Sequence, residues 1–439
     1  MHLPQRTGPT AAALNCRVMR IAILTAGGAG MFCGSCMHDN TLAKALIAAG
    51  HDCVLVPCYT PIRVDEADAS GGRVFLGGIN LYLDHRFPWT RRLPRLVKRA
   101  LNSRGLLRQL SRLQSSSDSR ELGDLTVAML RGADGPLASE LPPLVEFLTR
   151  EFRPDAVLFS NALMAGVLPS LRAAYDGPVS CLLQGDDVFL DGLPARRREA
   201  AVSLMASEPL RFDSYLSHTR FYADYMAGYL NLPRDRIDVV PLGIDVDSFP
   251  VGPHRPGGRT VGYFARLAPE KGLHQLVDAY LTIADRGVSL RIGGFIHAKD
   301  RKYAERQFAR LDGTDWTYAG SPPSHEEKVA FYHAADVVSV PTAFLEPKGL
   351  PVLEAIACGR PVVQPAHGAF PEIIQATGGG LLFPPGDTRQ LAEGLLRLLD
   401  NPAERHAIAT AARQRAIESI DARHSVAQTV SAIRGGTER

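Results

Sequence analysis

Short apolar runs rich in β-branched residues, each ending in a loop and giving way to a helical pattern, recur along the chain and constrain its fold more than any other feature. RIAILT (20–25), CVLVP (53–57), AVLF (156–159), VSCLL (179–183), TVGYF (260–264), DVVSVP (336–341) and PVVQP (361–365) are such runs. They are strand-length and predominantly apolar, and helical stretches separate them, so they predict an α/β chain with parallel sheets covered by helices. The 439 residues suffice for two sizeable cores, and no internal repeat links the halves.

Two loops carry the chemistry. In EPKGLPVLEAIACGRPVV (346–363), Pro351 suits the first turn of a helix and Gly359 its end, giving a short helix over about Pro351 to Cys358. The amides and positive dipole end at its start form a ready site for a phosphate. Glu346 on the loop and Glu354 just inside the helix cannot hold that phosphate; they suit sugar or ribose hydroxyls, or else loop solvation and dipole complementation. In TVGYFARLAPEKGLHQLVDAY (260–280), Arg266 and Lys271 stand at another helix entrance, where two cations would neutralise a diphosphate as it departs. No G-x-x-x-x-G-K-[ST] occurs, which disfavours nucleotide hydrolysis.

RLAPEKG and EPKGLPVLEAIACGRPVV, together with VVPLGIDVDSF (239–249) and GGGLLFPPGD (378–387), resemble the retaining glycosyltransferases of family 4 in content and order. The resemblance implies a GT-B fold, two Rossmann-like domains facing each other across a cleft, and a nucleoside diphosphate sugar donor with no cofactor or metal. It implies that Glu346 engages the donor sugar and its developing charge, that Glu354 holds the ribose, that Gly349 and Leu350 offer backbone donors to the diphosphate, and that Arg266 and Lys271 form its basic clamp. Lys348 departs from the pattern, since that position is often aromatic in the family; a solvent-facing lysine is the alternative to an altered donor pocket. Gly34 falls where the family has a loop glycine close to the phosphates. Gln184 stands where a histidine usually touches the donor sugar; it can hydrogen-bond a hydroxyl but cannot titrate. Asp186 is the candidate acceptor-side acid or base, with helix capping or loop solvation as the competing use.

The expected layout is a disordered leader over 1–19, an N-terminal acceptor domain over 20–241, a Pro- and Gly-dense linker over 242–258, a donor domain over 259–401, and C-terminal helices over 402–439; the resemblance implies that the last helix crosses back to the first domain. Between 86 and 120 the N-terminal domain carries an insertion. From Arg86 to Arg112 it holds nine basic residues and no acid, with leucines at helical spacing. Such a helix either covers the sheet or lies on an anionic membrane surface. The net charge of +3 does not mark a nucleic-acid binder, and no run of eighteen apolar residues exists to span a membrane. Seven scattered cysteines indicate a reducing, cytoplasmic compartment, with peripheral contact at a membrane's inner face as the variant.

FCGSC (32–36) is the exception among the cysteines. Loop packing is the favoured reading of Cys33 and Cys36; a metal site with Cys58 and His38, and a thioredoxin-like role, are the others. The expected reaction is transfer of a sugar to an acceptor that the sequence does not name. Another GT-B sugar-nucleotide enzyme, an epimerase or phosphorylase, and a non-catalytic sugar-nucleotide binding protein are the rivals.

Overall fold

A computed structural model describes residues 18–27, 33–70, 74–77, 81, 84–85, 119–322 and 324–435. The leader as far as residue 17, the tip of the first glycine-rich loop and the basic helix expected over 86–112 lie outside the described residues.

The apolar runs form two parallel sheets of six strands. The first comprises β1 (Arg20–Thr25), β2 (Asp52–Pro57), β3 (Ala156–Phe159), β4 (Val179–Leu182), β5 (Ser214–Ser217) and β6 (Ile237–Val239), in the order β2-β1-β3-β4-β5-β6. The second comprises β7 (Thr260–Phe264), β8 (Ser289–Gly293), β9 (Trp316–Tyr318), β10 (Val337–Val338), β11 (Val362–Pro365) and β12 (Gly380–Phe383), in the order β12-β11-β10-β7-β8-β9. Both orders are doubly wound. The order reverses between β1 and β3 in one sheet and between β7 and β10 in the other, and it is at the carboxyl ends of strands flanking such a reversal that open α/β sheets bind ligands.

Helices cover both faces of each sheet, which is why the strands are apolar on both sides. Along β1, Ala22 and Leu24 enter one core while Ile21 and Ile23 enter the opposite one. In the second sheet Val337 and Val363 face one core, and Val338 and Val362 the other. Successive side chains of a strand point to opposite faces, so each run feeds two layers at once.

The chain crosses between the lobes twice, and the crossings lie side by side. The Ile244 amide donates to the Ile420 carbonyl at 2.9 Å, and the Ala422 amide donates to the Ile244 carbonyl at 2.8 Å. The segment leading away from β6 is well packed: Leu242, Ile244, Val246 and Phe249 are buried in the second lobe's core. Beyond the second crossing, the helix Ala422–Gly435 packs on the first lobe, where Val426, Val430 and Ile433 join Ile21, Ile23 and Leu46.

Candidate functional site

The loops leaving β7 and β10 meet at the second sheet's reversal. Pro351 stands in the first turn of the helix Leu350–Ala357, and Gly349 caps that helix with φ +71°, a left-handed conformation that favours glycine. A Cβ on Gly349 would stand 2.6 Å from Ile373 Cδ1, so space and conformation both require glycine there. Glu346 is 6% exposed. One of its oxygens, Oε2, accepts from Lys271 Nζ at 2.7 Å; the other, Oε1, accepts from the amides of Gly349 at 3.2 Å and Lys348 at 3.3 Å. Burial alone would raise its pKa, but Lys271 and the Gly349 amide outweigh burial and hold the carboxyl below its usual range. Lys271 also lies over the Phe344 ring, 4.5 Å from its centre. Arg266 sits on the same loop, paired with Glu270.

Two of the expected donor contacts, and the departure at Lys348, differ in detail from expectation. The Gly349 amide serves the Glu346 carboxylate. Glu354 lies deeper in its helix than the first turn and is 3% exposed, with Oε1 accepting from Lys328 Nζ at 2.8 Å and Oε2 from the Tyr332 hydroxyl at 2.8 Å. A carboxylate offers about four acceptor positions, so these two bonds leave room for ribose hydroxyls. Lys348, for which a solvated side chain was the alternative, is 8% exposed. Its Nζ crosses the cleft to donate to Ser35 Oγ at 2.8 Å and to Gln184 Oε1 at 3.1 Å.

Across the cleft, the first lobe presents the loops of its own reversal. Helix α1 (Gly34–Ala48) starts at Gly34 and brings Ser35 to Lys348. Gln184 follows β4 and is locked on both sides: its Nε2 donates to Asp39 Oδ1 and to the Ser160 carbonyl, each at 2.9 Å. The side-chain atoms Asp39 Oδ2, Ser160 Oγ and His218 Nε2 are buried here without a hydrogen-bond partner. The His218 ring stands edge-on to His38 with centres 4.6 Å apart, and burial followed by the neighbouring His38 and Lys348 keeps it uncharged. Buried polar atoms are ordinarily paired, and orphans gathered in a cleft are where a polar ligand finds partners.

Asp186 does not fit the acceptor-side acid expected of it. It is 3% exposed, with one oxygen accepting the Ala162 amide at 2.6 Å and the other the Gln184 amide at 3.2 Å. It therefore clasps the loop after β3 to the loop after β4. Burial pushes its carboxyl up to about 6, against the pull of those amides.

Lys328 is the residue that pattern reading missed. It lies on the helix His325–Ala334, is 3% exposed, and bridges Glu354 to Asp65 of the first lobe, the latter at 2.7 Å. Its neighbours Ser324, Glu326 and Glu327 read as an ordinary capped helix start, so no local signal marked it. A second tie joins the lobes where the Glu372 carboxylate accepts the amides of Arg220 and Phe221 at 3.0 and 2.8 Å. The three-thiol cluster weighed for a metal is not assembled: Cys36 and Cys58 lie in different cores, and among the described residues no three His, Cys, Asp or Glu side chains group as metal ligands.

Known proteins are similar in sequence and in fold. Residues 247–415 match the family described as Glycosyl transferases group 1. The chain is 31% identical over 199 residues to an MMP alpha-(1->4)-mannosyltransferase of Mycolicibacterium hassiacum, 45% of this chain and 48% of that one. It is 29% identical over 287 residues to a glycogen synthase of Mycobacterium tuberculosis, 62% of this chain and 66% of that one. It thus spans about half to two thirds of the length of these curated relatives. Among solved structures, a sucrose-phosphate synthase from Thermosynechococcus elongatus superposes with TM-score 0.69 at 18% identity, over 95% of this chain and 98% of that one. Anabaena HepE in complex with UDP and glucose superposes with TM-score 0.65 at 17% identity, over 95% and 99%. The chain therefore has the two-lobed GT-B fold and carries a Glycosyl transferases group 1 domain over residues 247–415.

Proposed function

We propose that the protein is a retaining glycosyltransferase that moves a sugar from a nucleoside diphosphate donor to a hydroxyl-bearing acceptor without a required metal. One observation carries the reading: Lys271 and Glu346 are paired 2.7 Å apart where the loops of β7 and β10 meet, beside the start of the helix Leu350–Ala357. A cation and a helix start favour a diphosphate, and an ionised carboxylate beside them favours sugar hydroxyls and the positive charge that develops at the anomeric carbon. The relatives named as a mannosyltransferase and a glycogen synthase, and the neighbour bound to UDP and glucose, support this class of donor.

In the proposed reaction the bond between the anomeric carbon and the diphosphate oxygen breaks while the acceptor oxygen bonds that carbon on the same face. The acceptor proton passes to the departing phosphate oxygen. Lys271, Arg266 and the helix start take up the charge of the leaving group, and Glu346 orients the sugar. Gln184 and Glu354 remain donor contacts, whereas the buried clasp at Asp186 removes it from proton transfer.

Melting-temperature screening against UDP, GDP, ADP and dTDP sugars selects the donor, because a bound ligand stabilises by mass action. With that donor, Glu346→Gln is expected to keep the native melting temperature within a few degrees and to lower kcat by about 100- to 1000-fold, the scale of losing one preorganised electrostatic group. Full turnover by Glu346→Gln, or a product of inverted anomeric configuration by NMR, would overturn the assignment. Chelator is expected to leave the rate unchanged.

A further inference from the structure

The sequence Cys33-Gly34-Ser35-Cys36 stands after β1, with Cys33 capping α1 and Cys36 in its first turn. A Cys-X-X-Cys pair at a helix start in a βαβ unit is the arrangement in which dithiols exchange with disulfides. Cys33 and Cys36 lie one helical turn apart at the start of α1. Cys33 is half-buried, whereas Cys36 is 1% exposed. Ser35, between the two, holds the Lys348 ammonium at 2.8 Å.

We propose that Cys33 and Cys36 form a redox-active dithiol, with Cys33 as the attacking thiolate and Cys36 as the resolving thiol, exchanging with a low-molecular-weight disulfide. The Cys33 sulfur attacks one sulfur of the external disulfide, forms a mixed disulfide and expels the first small thiolate. Cys36 then gives up its proton to that thiolate, and its sulfur attacks the Cys33 sulfur and expels the second. Two protein thiols are oxidised to one disulfide, and the external disulfide is reduced to two thiols. This site stands independently of the sugar-transfer reading.

The electrostatics separate Cys33 from the other described thiols. The hydrogen bond from Cys36 holds Cys33 down to about 5, aided by the turn amides and by Lys348 against burial. Burial pushes Cys53 and Cys358 up to about 12, and raises Cys58 and Cys181 as well. Exchange begins with a thiolate, so among the described cysteines the chemistry falls to this pair.

The test uses the full chain in buffers of graded glutathione to glutathione disulfide ratio, followed by acid quench, alkylation and peptide mapping. The expected result is reversible, joint loss of alkylation at Cys33 and Cys36, with Cys53, Cys58, Cys181 and Cys358 unchanged. Cys36→Ser is expected to trap a glutathione adduct on Cys33, and Cys33→Ser to leave Cys36 reduced. Iodoacetamide should label Cys33 in the native protein at a rate that is nearly flat from about pH 6 to 8, where an ordinary thiol gains roughly tenfold per unit. Lys348→Met should shift the onset of that plateau to higher pH. Full alkylation of both cysteines at every ratio, or no adduct on a folded Cys36→Ser chain, would overturn the proposal.

Discussion

At the level of single residues, what decides a role here is whether a side chain's polar atoms are already committed. Asp186 is nearly inaccessible and spends both oxygens on backbone amides, so it holds two loops in register. Its folded-state pKa, raised to about 6 from 3.8, fixes the sign of its effect on stability. Between those values the folded protein binds more protons at this site than the unfolded chain, so the contribution to stability falls as pH rises from about 4 to 6 and stays low above that. Asp186→Asn is expected to remove this dependence from the urea-unfolding free energy over that range. It is also expected to cost about 1–3 kcal/mol, since the two backbone donors meet different oxygens and the NH2 of Asn would face one of them. An unchanged pH profile in the variant would show that another group carries it. The residues whose polarity and spacing were distinctive, Glu346, Lys271 and Arg266, were legible in the sequence. Lys348 was visible only as a departure, because a lysine on a loop has no local mark of burial; its ammonium is taken up by Ser35 and Gln184 of the other lobe.

At the level of elements, each helix following a strand fixes one part of the site, and contacts between elements of different lobes hold the parts together. The helix His325–Ala334 contributes Lys328, a buried cation shared between Glu354 of its own lobe and Asp65 of the other. Replacing Asp65 by Asn removes the interlobe charge while leaving Lys328 its bond to Glu354, so the expected outcome is a looser pair of lobes with both folds intact. Small-angle scattering of ligand-free Asp65→Asn should give a larger radius of gyration than the native chain; identical scattering curves would mean that the bridge does not restrain the lobes. Replacing Lys328 itself by Met is the harsher change. It strands two buried carboxylates, and breaking such a pair costs about 3–5 kcal/mol. The strand-loop-helix units could be read from their apolar runs and from Pro351 and Gly359. The partners of Lys328 could not, since Asp65 stands in a loop with no periodic pattern.

At the level of the whole molecule, two doubly wound lobes oppose the carboxyl ends of their strands, and the two chain crossings at Ile244 and Ile420–Ala422 are hydrogen-bonded to each other. The final helix completes the first lobe. Val426, Val430 and Ile433 each bury apolar surface there, worth about 1.5–3 kcal/mol apiece. Three such side chains are comparable with the whole stability of a domain, about 5–15 kcal/mol. Truncation before Ala422 is therefore expected to unfold the first lobe at a lower temperature than the second, giving two calorimetric transitions; one transition at the native temperature would show that the helix is dispensable. The amino-acid sequence by itself determined the parallel α/β architecture, the proline that starts the Leu350–Ala357 helix and the glycine that follows its end, and the loops bearing Arg266, Lys271 and Glu346, because strand runs, caps and turns are local properties of neighbouring residues. Only the tertiary structure decided that Lys348 reaches Ser35, 313 residues away, that Lys328 bridges to Asp65, and that Asp186 turns inward. Those contacts depend on how separately formed loops and lobes face one another, and no local period records that.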